Sequence, residues 1–175
     1  FTQNAILGCS PFPVSFTNTS TGGITYQWTF GDGGNSAAAS PTHNYLVAGN
    51  YLAQQIVIDA NGCRDTAVSP VPIVVNGAVA NFSAVPVPTC QNTAITFTDL
   101  STSNSAITAW SWDFGDGSPF VLVQGPLTHS YVNTGPFTVR LNVTDANGCG
   151  STFASNVTIT RPNAAFTQTA TVRCP

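Results

Sequence analysis

The strongest constraint on this chain is that it repeats itself. Phe1 and Cys9 stand eight residues apart, as do Phe82 and Cys90, and Phe166 and Cys174. Phe16 and Phe97 each follow their opening Phe by 15 residues. Trp28-Thr29-Phe30-Gly31-Asp32-Gly33 returns as Trp112-Asp113-Phe114-Gly115-Asp116-Gly117, and His43-Asn44-Tyr45 as His129-Ser130-Tyr131. Gly49-Asn50-Tyr51 matches Gly135-Pro136-Phe137, and Asp59-Ala60-Asn61-Gly62-Cys63 recurs unchanged as Asp145-Ala146-Asn147-Gly148-Cys149. The openings at Phe1, Phe82 and Phe166 are 81 and then 84 residues apart. Repeat 2 gains three residues before Trp112 and two between Gly117 and His129, and loses two between Cys149 and Phe166. Such changes fit loops on a fixed scaffold. The expected division is residues 1–77, residues 78–162, and the first strand of a third repeat in 163–175.

Each unit reads as antiparallel β-structure. Phe137, Val139, Leu141 and Val143 alternate with Thr138, Arg140, Asn142 and Thr144, the period of a half-buried strand. Ile95-Thr96-Phe97-Thr98 and Val157-Thr158-Ile159-Thr160 alternate likewise. Gly-Asp-Gly and Ala-Asn-Gly supply turn residues that tolerate positive φ. Several short strands in a unit of this length, with no sustained helical period, predict an all-β chain of tandem immunoglobulin-like sandwiches, about seven strands each.

The combined signature (Trp-x-Phe-Gly-Asp-Gly, His-x-Tyr, Gly-x-Tyr/Phe, then a strand ending in Asp-Ala-Asn-Gly-Cys) resembles the PKD (polycystic kidney disease-type) repeat. It is similar in particular to the tandem, Cys-containing versions in large secreted proteins of Bacteroidetes-type bacteria. The resemblance covers essentially the whole chain. It implies a seven-stranded, two-sheet fold, and roles as adhesin stalks, surface filaments or spacers attached to secreted hydrolases.

The cysteines follow the repeat: Cys9 and Cys63 occupy the same two positions in the first unit as Cys90 and Cys149 in the second. The expected disulfides are Cys9–Cys63 and Cys90–Cys149, with Cys174 pairing past the end of the chain. Each would stabilise its module by roughly 4 kcal/mol in the chain-entropy model. Disulfides would place the protein outside a reducing cytoplasm, secreted or on the cell surface. The chain opens in what reads as mid-strand and has no Met, so it is expected to be a piece whose export signal lies elsewhere.

Charge excludes several function classes. Only 6% of residues are charged; there is no Lys or Glu, and the net charge is −3. Nucleic-acid binding needs clustered cations, and Arg64, Arg140, Arg161 and Arg173 form no cluster in sequence. An anionic membrane surface is excluded on the same ground, and no apolar run reaches the length of a membrane helix.

Nothing in the sequence forms a nucleophile motif, a zinc-spaced His/Cys cluster or a phosphate loop, so no catalytic residue is assigned. His43 and His129 occupy one repeat position and read as structural, bonding a loop carbonyl. Asp32 and Asp116 read as turn-shaping residues. Asp99, Asp113 and Asp116 make a hard-oxygen set that calcium can use; repeat 1 has Asn18, Thr29 and Asp32 instead. No other cofactor is implied.

Departures between repeats point to contacts. Leu52, Ile56 and Ile58 fall where repeat 2 has Thr138, Asn142 and Thr144. They form either an apolar stripe on an outer sheet face or, through a bulge, part of the core, an alternative that Gln55 at an inward position supports. Phe120-Val121-Leu122-Val123 in an enlarged loop either caps its own sandwich or docks on a neighbour. These are the candidate self-association residues, with neighbouring repeats in a fibre as partners. Trp110 is the candidate aromatic platform for a surface glycan or protein, against a core position beside Trp112. Asp65-Thr66-Ala67 resembles a bacterial O-glycosylation signal with Thr66 as acceptor; Asn18, Asn81, Asn142 and Asn156 head Asn-x-Ser/Thr triplets.

Overall fold

A computed structural model describes residues 1–162; the expected third-repeat strand, with Phe166 and Cys174, lies outside the described residues. Every regular element in that span is a strand. The first repeat contains β1 (Thr2–Gln3), β2 (Leu7–Cys9), β3 (Phe12–Thr17), β4 (Gly23–Thr29), β5 (Asn35–Ser36), β6 (Thr42–Tyr45), β7 (Gly49–Tyr51), β8 (Gln54–Asp59), β9 (Arg64–Val68) and β10 (Ile73–Asn76). The second contains β11 (Ala78–Val79), β12 (Phe82–Val85), β13 (Thr89–Cys90), β14 (Ile95–Asp99), β15 (Thr102–Ser103), β16 (Ile107–Asp113), β17 (Leu127–His129), β18 (Gly135–Asp145) and β19 (Gly150–Thr160).

Each repeat is a two-sheet sandwich. In the second, β12-β14-β17 faces β13-β19-β18-β16. In the first, β1-β3-β6 faces a sheet in two parts, β5-β4-β8-β9 and β2-β10-β7. The division has a covalent cause. Ser69-Pro70-Val71-Pro72 separates β9 from β10, and two prolines cannot donate to a ladder, whereas β19 runs eleven residues unbroken. In both repeats the opening short strand, β2 or β13, runs parallel to the tip of the last strand, with Cys9 opposite Asn76 and Cys90 opposite Thr160.

The two cores are built on the same plan. Val14, Phe16, Trp28, Phe30, Tyr45, Ala53, Ile73 and Val75 fill the first; Ile95, Phe97, Trp112, Phe114, Tyr131, Val139, Leu141, Val157 and Ile159 are prominent in the second. Tyr45 and Tyr131 are buried, and their hydroxyls donate to the carbonyls of Phe30 and Phe114 at 3.0 and 3.1 Å. Burial of the phenols raises their pKa values well beyond the ordinary 10, so both remain donors. Gly31 and Gly115 explain the invariant turn. Both have positive φ, and a Cβ at Gly115 would lie 2.5 Å from the Thr138 carbonyl oxygen.

The alternation along β8 decides between the two readings of Leu52, Ile56 and Ile58. β8 pairs with β9 without a shift, from Gln54 opposite Val68 to Ile58 opposite Arg64. Its one irregularity against β4 lies between Gly23 and Thr25, where β16 has the same irregularity between Ile107 and Ala109. Gln55 therefore points inward opposite Trp28, and is wholly buried in the place of Leu141 opposite Trp112. Ile56 and Ile58 stay on the outer face, half-buried, and Leu52 is exposed.

Candidate functional site

A carboxylate–imidazole constellation in each repeat is built by the Gly-Asp-Gly turn. Asp32 Oδ1 accepts the Gly34 N–H at 2.9 Å, and Asp116 Oδ1 accepts the Ser118 N–H at 3.0 Å. The other oxygen of each carboxylate lies 2.7 Å from the Nε2 of His43 or His129. Each imidazole stacks on the turn's Phe, with centroids 4.1 Å apart for Phe30–His43 and 4.0 Å for Phe114–His129. The partner of each histidine is thus the turn aspartate, not the loop carbonyl expected. Partial burial works against ionising these carboxyls. The hydrogen bonds from His43 and Gly34 to Asp32, and from Ser118 and His129 to Asp116, outweigh it and hold both pKa values below the ordinary 3.8. Ser118 Oγ donates to Asp116 at 2.6 Å rather than to the histidine, and Gly34 takes its place in repeat 1. The unit ties the Gly-Asp-Gly turn to the strand that carries the histidine, β6 or β17.

The calcium set does not assemble. Asp99 Oδ2 accepts the Trp110 indole N–H at 2.7 Å, and its Oδ1 accepts the Ser101 N–H. Asp113 caps the Gly115 N–H and faces Arg140 at 3.9 Å, while Asp116 is held by Ser118 and His129. Among the described residues no three His, Cys, Asp or Glu side chains converge as a metal site. The three aspartates are spent on separate local donors, which corrects the expected grouping.

The disulfide corrects the sequence reading most sharply. Cys9 is bonded to Cys149, 140 residues away, with their Cα atoms 5.4 Å apart; among the described residues Cys63 and Cys90 are free and exposed. The reason is the length of the last strand. Cys149 precedes Gly150, where β19 starts, and Cys90 lies opposite Thr160, where it ends. Eleven residues of strand hold the two sulfurs roughly 36 Å apart, far beyond disulfide reach. Cys63 and Cys9 are separated in the same way by β9 and β10 in series.

The bond instead ties the tip of one repeat to the opening end of the next, within a polar junction. Asn104 acts as a strand partner for the end of β10: its amide nitrogen donates to the Val75 carbonyl at 3.0 Å, and its Oδ1 accepts the Gly77 N–H at 3.1 Å. Ser103 Oγ lies 3.1 Å from both the Gly77 carbonyl and Asp145 Oδ2. Asp145 and Cys149 are each 2% exposed, and Asp145 Oδ1 accepts the N–H groups of Asn147 and Cys149 at 2.9 Å. Ser103, Asn104 and neighbouring Ser105 lie in the stretch before Trp112 where repeat 2 is three residues longer. The sequence carried two signals for this junction: that insertion, and cysteines at opposite ends of one strand.

The remaining candidates lie on open surfaces. Arg64 on β9 donates to Gln27 on β4 at 2.9 Å, spanning the face of the intervening β8 that carries Ile56 and Ile58. Thr66, opposite Ile56, is exposed. Val121 forms a β-bridge with Trp112 and packs on the core, whereas Phe120 and Leu122 are 64% and 72% exposed. The loop thus both caps its own sandwich and presents apolar side chains to solvent. It also walls an open groove of about 610 Å³ lined by Ala109, Trp110, Leu122, Gln124, Asn142 and Thr144. Trp110 is half-buried and packs against the core. No helix among the described residues is long and apolar enough to cross a membrane.

The family model of the PKD domain matches residues 2–75 and again 79–160. A solved structure described as bearing on the promiscuous specificity of carbohydrate-binding modules from the β-sandwich superfamily is 30% identical over 48% of this chain, with a TM-score of 0.46. This chain spans 34% of the length of that protein. The PKD1 domain of Vibrio anguillarum Epp is 26% identical, covering 49% of this chain and 96% of its own, with a TM-score of 0.42. The PKD1 domain of the Vibrio cholerae metalloprotease PrtV is also 26% identical, covering 47% and 96%, with a TM-score of 0.42.

Proposed function

The chain belongs to the PKD domain family, and we propose that it serves as a non-enzymatic structural segment of an extracellular fibre, filament or adhesin stalk. The observation that carries this reading is the junction, where a disulfide and the Asn104 and Ser103 hydrogen bonds hold two sandwiches at one joint. A joint fixed at several points resists bending, which a load-bearing stalk requires and a flexible tether does not. The disulfide fits a secreted or cell-surface location. The nearly uncharged surface and the exposed Phe120, Leu122 and Leu52 fit contact with neighbouring repeats.

Electron microscopy of the intact native protein at low and high concentration tests this reading. Straight rods that gather into fibres of uniform width at high concentration are expected. Particles bent freely between beads at every concentration would contradict it.

The groove walled by Leu122 and Gln124 supports a second reading, an accessory module that binds carbohydrate or protein for a secreted hydrolase. Glycan-array binding abolished by Leu122→Asp would favour that reading over the stalk.

A further inference from the structure

We propose that Cys63 and Cys90 are the two unpaired halves of the same head-to-tail disulfide that joins Cys9 to Cys149. Each repeat would give its opening-strand cysteine to the turn cysteine of the repeat that follows. Cys90 then pairs with a following repeat and Cys63 with a preceding one. This goes beyond the stalk reading and does not depend on it, since a spacer would be locked in the same way.

The giving half is built identically in both repeats. Cys9 lies opposite Asn76 in a parallel pair, and the next N–H, of Ser10, donates to the Asn76 carbonyl at 2.8 Å. Cys90 lies opposite Thr160 in a parallel pair, and the Gln91 N–H donates to the Thr160 carbonyl at 3.0 Å. Both cysteines are placed at the tip of the last strand.

The receiving half is also duplicated. Asp59 Oδ1 accepts the N–H groups of Asn61 and Cys63 at 2.8 and 2.9 Å, as Asp145 does for Asn147 and Cys149. The Asp59 N–H donates to the Cys63 carbonyl and the Asp145 N–H to the Cys149 carbonyl, both at 3.0 Å. The two turns differ in what covers them. Cys149 is buried beneath the preceding repeat, whereas Cys63 is exposed beside an open concavity of about 250 Å³, lined by Thr21, Gly22, Gly23, Asp59 and Arg64 among others. The opening strand of another repeat of this kind is the occupant that the filled site already displays. Repeat 1 lacks the three-residue insertion that carries Asn104, so the Asn104 hydrogen bonds have no counterpart beside Cys63.

The bond forms by exchange with an external disulfide, that of glutathione or of a thiol oxidoreductase. One cysteine thiolate attacks that disulfide and becomes a mixed disulfide, releasing one thiol. The second cysteine thiolate attacks the protein sulfur of the mixed disulfide and releases the other. Two protein thiols are oxidised to one S–S bond, and the oxidant is reduced to two thiols.

The test is the full chain duplicated in one polypeptide, residues 1–165 followed by 1–175, with Cys174→Ser. Phe1 of the second copy then stands where Phe166 stood. After folding in a glutathione–glutathione disulfide buffer, peptide mapping without reduction should find Cys90 of the first copy bonded to Cys63 of the second. The Cys9–Cys149 bond in each copy reports correct folding, and the two joined thiols should be lost to alkylation. Both thiols still alkylatable while Cys9–Cys149 is oxidised would overturn the proposal. As a second measurement, the single Cys174→Ser chain is concentrated in the same buffer. Its intermolecular crosslinks should be Cys63–Cys90; a mixture including Cys63–Cys63 and Cys90–Cys90, or no crosslinks, would overturn it.

Discussion

The Asp116 carboxyl, held 2.7 Å from His129 where that ring stacks on Phe114, gives the second module a pH-dependent stability, as the Asp32 carboxyl beside His43 does the first. The carboxyl pKa is lower in the folded protein than in the unfolded chain, so unfolding takes up protons in acid. The stabilisation is fully present above the ordinary carboxyl value of 3.8 and is lost as pH falls through the lower folded value. Denaturant midpoints should therefore fall steeply below about pH 4, and Asp32→Asn with Asp116→Asn should flatten that fall while costing about 1–3 kcal/mol each near neutrality. A second residue-scale prediction concerns Gln55, buried where Leu141 sits in repeat 2. Its amide nitrogen donates to Asn18 at 2.8 Å, but its buried Oε1 has no partner among the described residues. Gln55→Leu should raise stability by about 1 kcal/mol in chemical denaturation, because it removes that orphaned acceptor. That the two histidines hold one equivalent place in the two repeats was legible from their recurrence. Their partner was not, because the fold of the turn brings Asp32 to His43 and Asp116 to His129 across 11 and 13 residues of chain.

Turns and strands show where periodicity suffices and where it does not. Gly115 and Gly117 both have positive φ, but only a Cβ at Gly115 meets backbone, 2.5 Å from the Thr138 carbonyl oxygen; around Gly117 there is open space. Gly117→Ala should cost about 1–2 kcal/mol, from conformation alone. Gly115→Ala should cost clearly more, and equal costs by thermal or denaturant unfolding would contradict the close approach. The alternation in Phe137–Val143 and Val157–Thr160 identified β18 and β19 directly. It left β8 ambiguous because Gln55 breaks the polarity rule at a core position, and only the pairing with β9 and β4 fixes which face Ile56 and Ile58 occupy. With these two half-covered by the Arg64–Gln27 bridge, Ile56→Thr with Ile58→Thr should leave the monomer folded by circular dichroism and weaken fibre formation. Loss of folding would place the pair in the core.

On the scale of the whole molecule, the repeat made the two tandem modules and their type legible, but not their connection. Placing cysteines by repeat position suggests a bond inside each module, because both positions recur together. The three-dimensional length of β19, roughly 36 Å, forbids it, and that length acts only once the opening strand is laid parallel to the tip of the last one. The bond thus constrains the orientation of two sandwiches rather than the unfolded loop within one. Cys9→Ser should therefore lower the stability of each module by less than about 1 kcal/mol, against the roughly 4 kcal/mol that loss of an internal bond would cost. Its effect should appear instead as a wider spread of inter-module angles in scattering or imaging. The most direct test of this account is disulfide mapping of the native chain by proteolysis and mass spectrometry without reduction. A peptide pair linking Cys9 to Cys149 is predicted; pairs linking Cys9 to Cys63 and Cys90 to Cys149 would contradict the junction and the stalk built on it.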